Sequence, residues 1–328
     1  MTAHRDLKKL IRERQTKTGE AYTIARMHVL RAQAELLGLP ADEPATTRKL
    51  EAIVLKLNRQ SARLRLLGDN KEEVTFRSSD VYGLAPGQVV SIDVEHTWSF
   101  RGHAYASGKV ASSRIDIAKL GLAPLPFTGG DVVDLRERAE RVRGRSPYAM
   151  LWRLSTETPR EMFEFDRIAW GAFPDADPED NPTCHATELM DKGNTAEAYQ
   201  LIMDTLHRDL RCIDAHALLG NLAFKQLPKQ AMMHYEIGMR VAALSIPADF
   251  RGVILWGCVY NRPYLRCLHG YALCLWRLGR LADAQRLFER MLWLNPDDNQ
   301  GARFCWDDVR AGRSWEDVKD EDHPSALH

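Results

Sequence analysis

Three groups of side chains have the types and spacing to do chemistry. The first surrounds one tight turn, Arg101-Gly102-His103, where Asp93, Glu95, His96 and His103 offer two carboxylates and two imidazoles. A divalent metal needs three or four such ligands converging on one point. On a regularly alternating strand, Asp93 and Glu95 share the face opposite His96, so the set is expected to hold no metal. The second group, Trp98, Phe100, Arg101 and Tyr105, mixes flat aromatics with a cation. It reads either as a stacking face for nucleobases or as the core of a single hairpin. The third group lies in the C-terminal half: His216, Asn221, Arg266, His269, Tyr271 and Arg277, with Trp256 and Tyr260 nearby. These side chains are candidates to hold a protein or peptide partner.

Motifs of catalysis are missing. The sequence contains no GxGxxG, no GxxxxGK[ST] phosphate loop, no HExxH and no GxSxG. The acidic pairs Asp297-Asp298 and Asp307-Asp308 fall at expected helix ends, where capping accounts for them. No catalytic residue, metal or cofactor is therefore expected, and the chain reads as a non-catalytic binding protein.

Composition bounds the setting. The 328 residues are enough for two or three domains. No stretch approaches the roughly 20 apolar residues of a membrane span, and Met1 to Arg14 lacks the apolar run of a secretory signal. A cytoplasmic location without membrane contact is the expectation. The six cysteines form no CxxC pair and read as reduced, mostly buried thiols. Formal net charge is zero, yet residues 1–68 carry 14 Lys/Arg against 7 Asp/Glu, and residues 131–188 carry 8 against 13. The basic end suits nucleic acid or an acidic partner; it also suits plain solubility.

The elements that must position these groups follow from periodicity. Residues 1–68 read as a basic helical module. A helix over 3–17 carries Leu7, Leu10 and Ile11. A second, from about 20 to 37, carries Ile24, Met27, Leu30 and Ala34. A third, over about 47–67, carries Ile53, Leu57, Leu64 and Leu67, with Arg59, Arg63 and Arg65 on its basic side. Arg12, Thr23, Arg26, Arg31, Arg59 and Arg63 are the candidate nucleic-acid contacts of this module. Residues 69–130 read as a small, largely antiparallel β module of barrel or sandwich type, with strands near 72–77, 89–98 and 104–117. A linker helix and an aromatic junction occupy 131–182, ending in the acidic, proline-rich stretch 174–182.

From about 183 onward the chain reads as helix with a period of 34 residues. The clearest unit, Leu265–Asp298, places Ala272, Leu275, Gly279, Ala284, Phe288 and Pro296 where a helix–turn–helix repeat needs small crossing residues, a turn and a stop. Earlier units start near Glu179 (Ala186, Gly193, Ala198, Ile202, Leu210) and Ile213 (Leu219-Gly220, Ala231, Tyr235, Gly238). An insertion at about 243–263 separates the last unit; it reads either as a cap over a groove or as a loop packed on the array edge.

The stretch 261–304, with its NRP entry and LNPDDNQGAR exit, resembles the C-terminal end of a group of bacterial tetratricopeptide-repeat (TPR) proteins. That resemblance implies a scaffold that holds a partner in a groove. The segment KLIRERQTKTGEAYTIARMHVL is similar to short basic helix–turn–helix-like segments, which would set Thr23, Arg26 and Arg31 near a DNA groove; a helical bundle without DNA contact is the other reading. The expected architecture is mainly α and multidomain: an N-terminal helical module, a small antiparallel β module, and a TPR-like α-solenoid over 183–328. The expected function is partner binding through the repeats, with a nucleic-acid-associated regulator as the alternative.

Overall fold

The computed structural model describes residues 3–18, 22, 25–26, 28–29, 48–68, 71–136, 147–173 and 180–318. The chain divides into two compact units, Met1–Arg48 and Lys49–His328. In the first, α1 spans Ala3–Thr18, with Ile11 buried and Arg12 exposed.

The second unit begins with a barrel. Its strands are β1 (Arg48–Asn58), β2 (Ser61–Leu66), β3 (Glu73–Arg77), β4 (Val89–Phe100) and β5 (His103–Arg114). They close in the order β1-β2-β3-β5-β4. Neighbours are antiparallel except β3 and β5, which pair in parallel. Backbone bonds from Val54 to Gln88 and from Gly87 to Val54 join β1 to the start of β4. Closure removes the open edges that would otherwise seek another strand.

This arrangement overturns the mainly α expectation. The third basic helix does not form: its residues are β1, a turn at Arg59-Gln60, and β2. In β2 the alternation is clean, Ala62 and Leu64 inward against Ser61, Arg63 and Arg65. The β part is a closed five-strand barrel containing a parallel pair, rather than a small antiparallel module. A separate antiparallel pair, β6 (Phe127–Val133) and β7 (Arg160–Phe165), follows it.

Nine helices follow the barrel among the described residues: α2 (Pro147–Thr156), α3 (Pro182–Asp191), α4 (Thr195–Arg208), α5 (Ile213–Phe224), α6 (Pro228–Ala243), α7 (Arg262–Arg277), α8 (Leu281–Leu294), α9 (Ala302–Arg310) and the single turn α10 (Trp315–Val318). Helices α3/α4, α5/α6 and α7/α8 are hairpins, and Ala186, Ala198, Ala231, Ala272 and Ala284 are fully buried where they cross. Small residues there let helix axes approach to roughly 8–10 Å. The tightest crossing holds Tyr235 of α6 between Gly220 of α5 and Gly270 of α7, where any Cβ would overlap the tyrosine ring. The hidden hydroxyl of Tyr235 donates to Asn221 Oδ1 at 2.7 Å.

The helices do not make a free-standing solenoid, which is the second correction. One apolar core joins the barrel interior to α3, α4 and part of α5; Ile53, Val54, Leu64, Phe76 and Ile92 share it with Ala198, Ile202, Leu206 and Leu219. The other core runs from Leu125 and Phe165 through α5–α10. The insertion at 243–263 packs as a loop: Val253 bonds with Glu161 and Phe163 of β7, and Ile254 donates to Leu294 O. Arg160 pins this loop by donating to the carbonyls of Ser155, Arg251, Gly252 and Trp293, with its guanidinium 4.2 Å from the Trp293 ring centre.

Candidate functional site

One residue decides which way the β4–β5 hairpin faces. Ile92 and Val94 of β4 point into the barrel, so strict alternation would turn residues 96, 98 and 100 inward too. Glu95 is instead an extra residue: Val94 pairs with Gly108 and His96 with Ser107, with the register shifting between them. Such a bulge reverses the facing of every later residue. His96, Trp98 and Phe100 therefore stand on the outer surface and are exposed. Gly108 makes the bulge possible, since a Cβ there would overlap the Asp93 carbonyl. The bulge also corrects the expected facing of the acids, because Asp93 and His96 now pair with Lys109 and Ser107 on one outer face.

Beyond the bulge, Trp98 faces Tyr105 across the hairpin, ring centres 5.5 Å apart and planes within 10°. Arg77, the last residue of β3, reaches them from the far side of β5; its guanidinium carbon lies 5.7 Å from the Trp98 ring centre and 5.5 Å from that of Tyr105. At the apex, Arg101 sits 5.2 Å from the ring centre of Phe100. Trp98 is 38% and Phe100 57% exposed, unusual for side chains this apolar. Arg101 (φ 50°) and Gly102 (φ 77°) form a two-residue turn with both φ positive. Glycine adopts this freely, whereas an arginine there costs about 1–2 kcal/mol.

Register brings a further cation to the same end. The β1–β2 turn holds Arg59, and the adjoining Ser61 pairs with Arg77, which pairs with Ser107. Among the described residues, no carboxylate or carbonyl takes a hydrogen bond or ion pair from the guanidinium of Arg59, Arg77 or Arg101. The end of the barrel thus presents two aromatic surfaces and three uncommitted positive charges. Of the nucleic-acid candidates, Arg59 belongs to this end. Arg63 is spent inside the face, on Glu73 at 2.9 Å and Thr75 at 3.2 Å. Arg12 and Arg26 are exposed in the N-terminal unit; Thr23 and Arg31 lie outside the described residues. Arg77 was not singled out from sequence, although a cation closing a strand just before the Ser78-Ser79 turn was a readable signal. His96 and His103 stand at separate rungs of the hairpin, and no three His, Cys, Asp or Glu side chains among the described residues converge to hold a metal ion.

The partner-binding candidates are placed differently. His216 and His269 are fully buried. Burial lowers His216 and His269 to about 4, and burial together with the nearby His216 lowers His234 to about 3. Nδ1 of His216 and of His234 and Nε2 of His269 find no partner. Asn221 is engaged by Tyr235. Arg266 is bound to the buried Asp214 at 2.8 Å, and burial raises that carboxyl despite the ion pair. Arg277 donates to the carbonyls of Phe224 and Lys225 and covers the Phe224 and Trp315 rings. Trp256 lies under Arg262 and Arg266, and its backbone donates to Asn295 Oδ1. Tyr260 packs near Trp170, and Tyr271 is half-buried. No helix among the described residues is long and apolar enough to cross a membrane. Comparison with protein-family models, with curated proteins and with solved structures returns no match to this chain.

Proposed function

We propose that this protein binds single-stranded nucleic acid on the open end of its barrel. The observation that carries the reading is the exposed Trp98 stacked on the half-buried Tyr105, with Arg77 against both rings. Bases stack on such surfaces whatever their sequence, and nearby guanidinium groups meet the phosphates. Architecture supports the same reading by analogy: five-stranded barrels that bind oligonucleotides or sugars use the face of strands 2 and 3 and the loops joining strands 1 to 2 and 4 to 5. Here those loops carry Arg59 and Arg101. Three uncommitted cations favour a polyanion over a neutral sugar.

The test is fluorescence anisotropy of a labelled eight-nucleotide oligothymidylate with the full chain. Trp98→Ala and Arg77→Ala should each weaken binding about 10- to 100-fold, since one stacked base is worth about 1–3 kcal/mol. Tyr82→Ala, which removes an even more exposed aromatic elsewhere on the barrel, should leave affinity unchanged. Absence of binding at low salt, or equal affinity in Trp98→Ala and the parent, refutes the proposal.

A further inference from the structure

Resting on that reading, we infer that the site takes a short unpaired stretch of about four nucleotides, and that a longer strand gains nothing by continuing along the barrel. The obstacle is α4. It lies across the lower half of the β1–β3 surface, where Asp204 pairs with Lys56 of β1 and His207 meets Glu73 of β3 at 3.3 Å. Residues 52–55 of β1 are buried on both faces because the barrel interior lies on one side and the α3/α4 hairpin on the other.

The charges tell the same story. On the β1–β3 flank, below the open end, the cations with a described contact are committed to protein groups, whereas Lys109 of β5, opposite Asp93, is exposed. Lys56 is held by Asp204, Arg63 by Glu73, Arg65 by the Leu120 carbonyl at 3.3 Å, and Arg114 and Lys119 by Glu51. Phosphates continuing downward would have to displace those partners. At the open end, Arg59, Arg77 and Arg101 need displace none. The stacking surface is short as well. From the Ser107 rung to the Phe100–His103 rung is four residues, or about 13 Å at ~3.3 Å per strand residue. At ~3.4 Å per nucleotide of stacked strand, about four nucleotides fill it. That is the low end of the ~4–16 nucleotides that single barrels of this size cover.

Affinities of labelled oligothymidylates of 2, 4, 8 and 16 nucleotides, each measured from 20 to 300 mM salt, decide the matter. Three phosphate contacts predict a slope of log affinity against log salt near −2. The slope should reach that value by four nucleotides and stay there at eight and sixteen. A slope that keeps steepening, to −4 or beyond at sixteen nucleotides, overturns the short site while leaving nucleic-acid binding intact. Failure of every length to bind at 20 mM salt removes the underlying reading instead. Displacement of the four-nucleotide probe by polyglutamate as readily as by unlabelled oligothymidylate would assign the surface to acidic peptides and overturn both.

Discussion

The open end of the barrel and the helical stack use the same residue types to opposite ends. Both pair arginine with aromatic rings. In the stack the guanidinium is also tied down: Arg266 by Asp214, Arg277 by two carbonyls, Arg160 by four. Those pairs are packing, with each guanidinium tied to at least one acceptor of the protein. At the barrel end the guanidinium groups of Arg77 and Arg101 lie against rings and make no hydrogen bond or ion pair among the described residues, and Trp98 and Phe100 are exposed. An arginine–aromatic pair is evidence of a binding surface only when the cation has donors to spare.

The comparison breaks most dramatically in acid, where the buried histidines all lie in the stack. His216, His234 and His269 are held neutral in the fold, at about 4, 3 and 4, whereas an unfolded histidine takes its proton near 6.5. The unfolded chain binds more protons throughout that interval, so stability is full above pH 6.5 and falls as pH drops toward 4. At its limit each histidine contributes roughly 3 kcal/mol. Asp298, raised to about 6 by burial, and Asp214 and Asp307, also raised by burial, run the other way, their folded forms gaining protons first as pH falls. The three histidines, which take up protons only on unfolding over most of this range, should outweigh them and leave net acid destabilisation. Urea midpoints at pH 7, 6, 5 and 4 should fall steadily, and His234→Gln should flatten the decline; a flat profile in the parent sinks the account.

A smaller change, still confined to the stack, is Gly270→Ala. Its methyl group overlaps the Tyr235 ring, so overpacking should cost about 1–3 kcal/mol. Affinity for a short oligonucleotide, measured where the variant remains folded, should not change. An equal loss of stability and binding would show that the two regions are coupled. The smallest effect sharpens the other side. Arg101→Gly relieves a positive-φ arginine and should leave stability equal or raised by up to about 1 kcal/mol. It also removes one phosphate contact, so the salt slope should fall by about 0.7. Loss of stability in that variant would mean that Arg101 serves the hairpin and not a ligand.

Part of this was legible in the sequence. The turn at Arg101-Gly102-His103, the flanking strands and the choice of Trp98, Phe100, Arg101 and Tyr105 all came from alternation and turn chemistry. Whether those rings made a core or a surface was not decidable, because the answer hangs on the one-residue shift at Glu95, and a bulge leaves no mark in hydrophobic pattern. Residues 47–67 misled for a related reason. With both faces of β1 covered, Ala52 to Leu55 form an unbroken buried run, so the period of two vanishes. Ile53, Leu57, Leu64 and Leu67 then mimic a helical stripe. The short alternation of β2 was the only local clue. Among the helices, the small crossing residues read correctly, but polarity was a poor guide to exposure. His216 and His269 sit at interior positions where their ring nitrogens go unmet, and no local pattern distinguishes them from histidines facing water.

The shared core of barrel and helices also fixes an order of events during synthesis. All five barrel strands have been made once Arg114 leaves the ribosome. Ile202 and Leu206 of α4, which share an apolar core with β1, are made about ninety residues later. At ~5–20 residues per second that is roughly 5–20 s. For that interval the nascent barrel lacks the helix that completes its core, and its apolar side chains wait for cover that the finished protein supplies from its own later sequence.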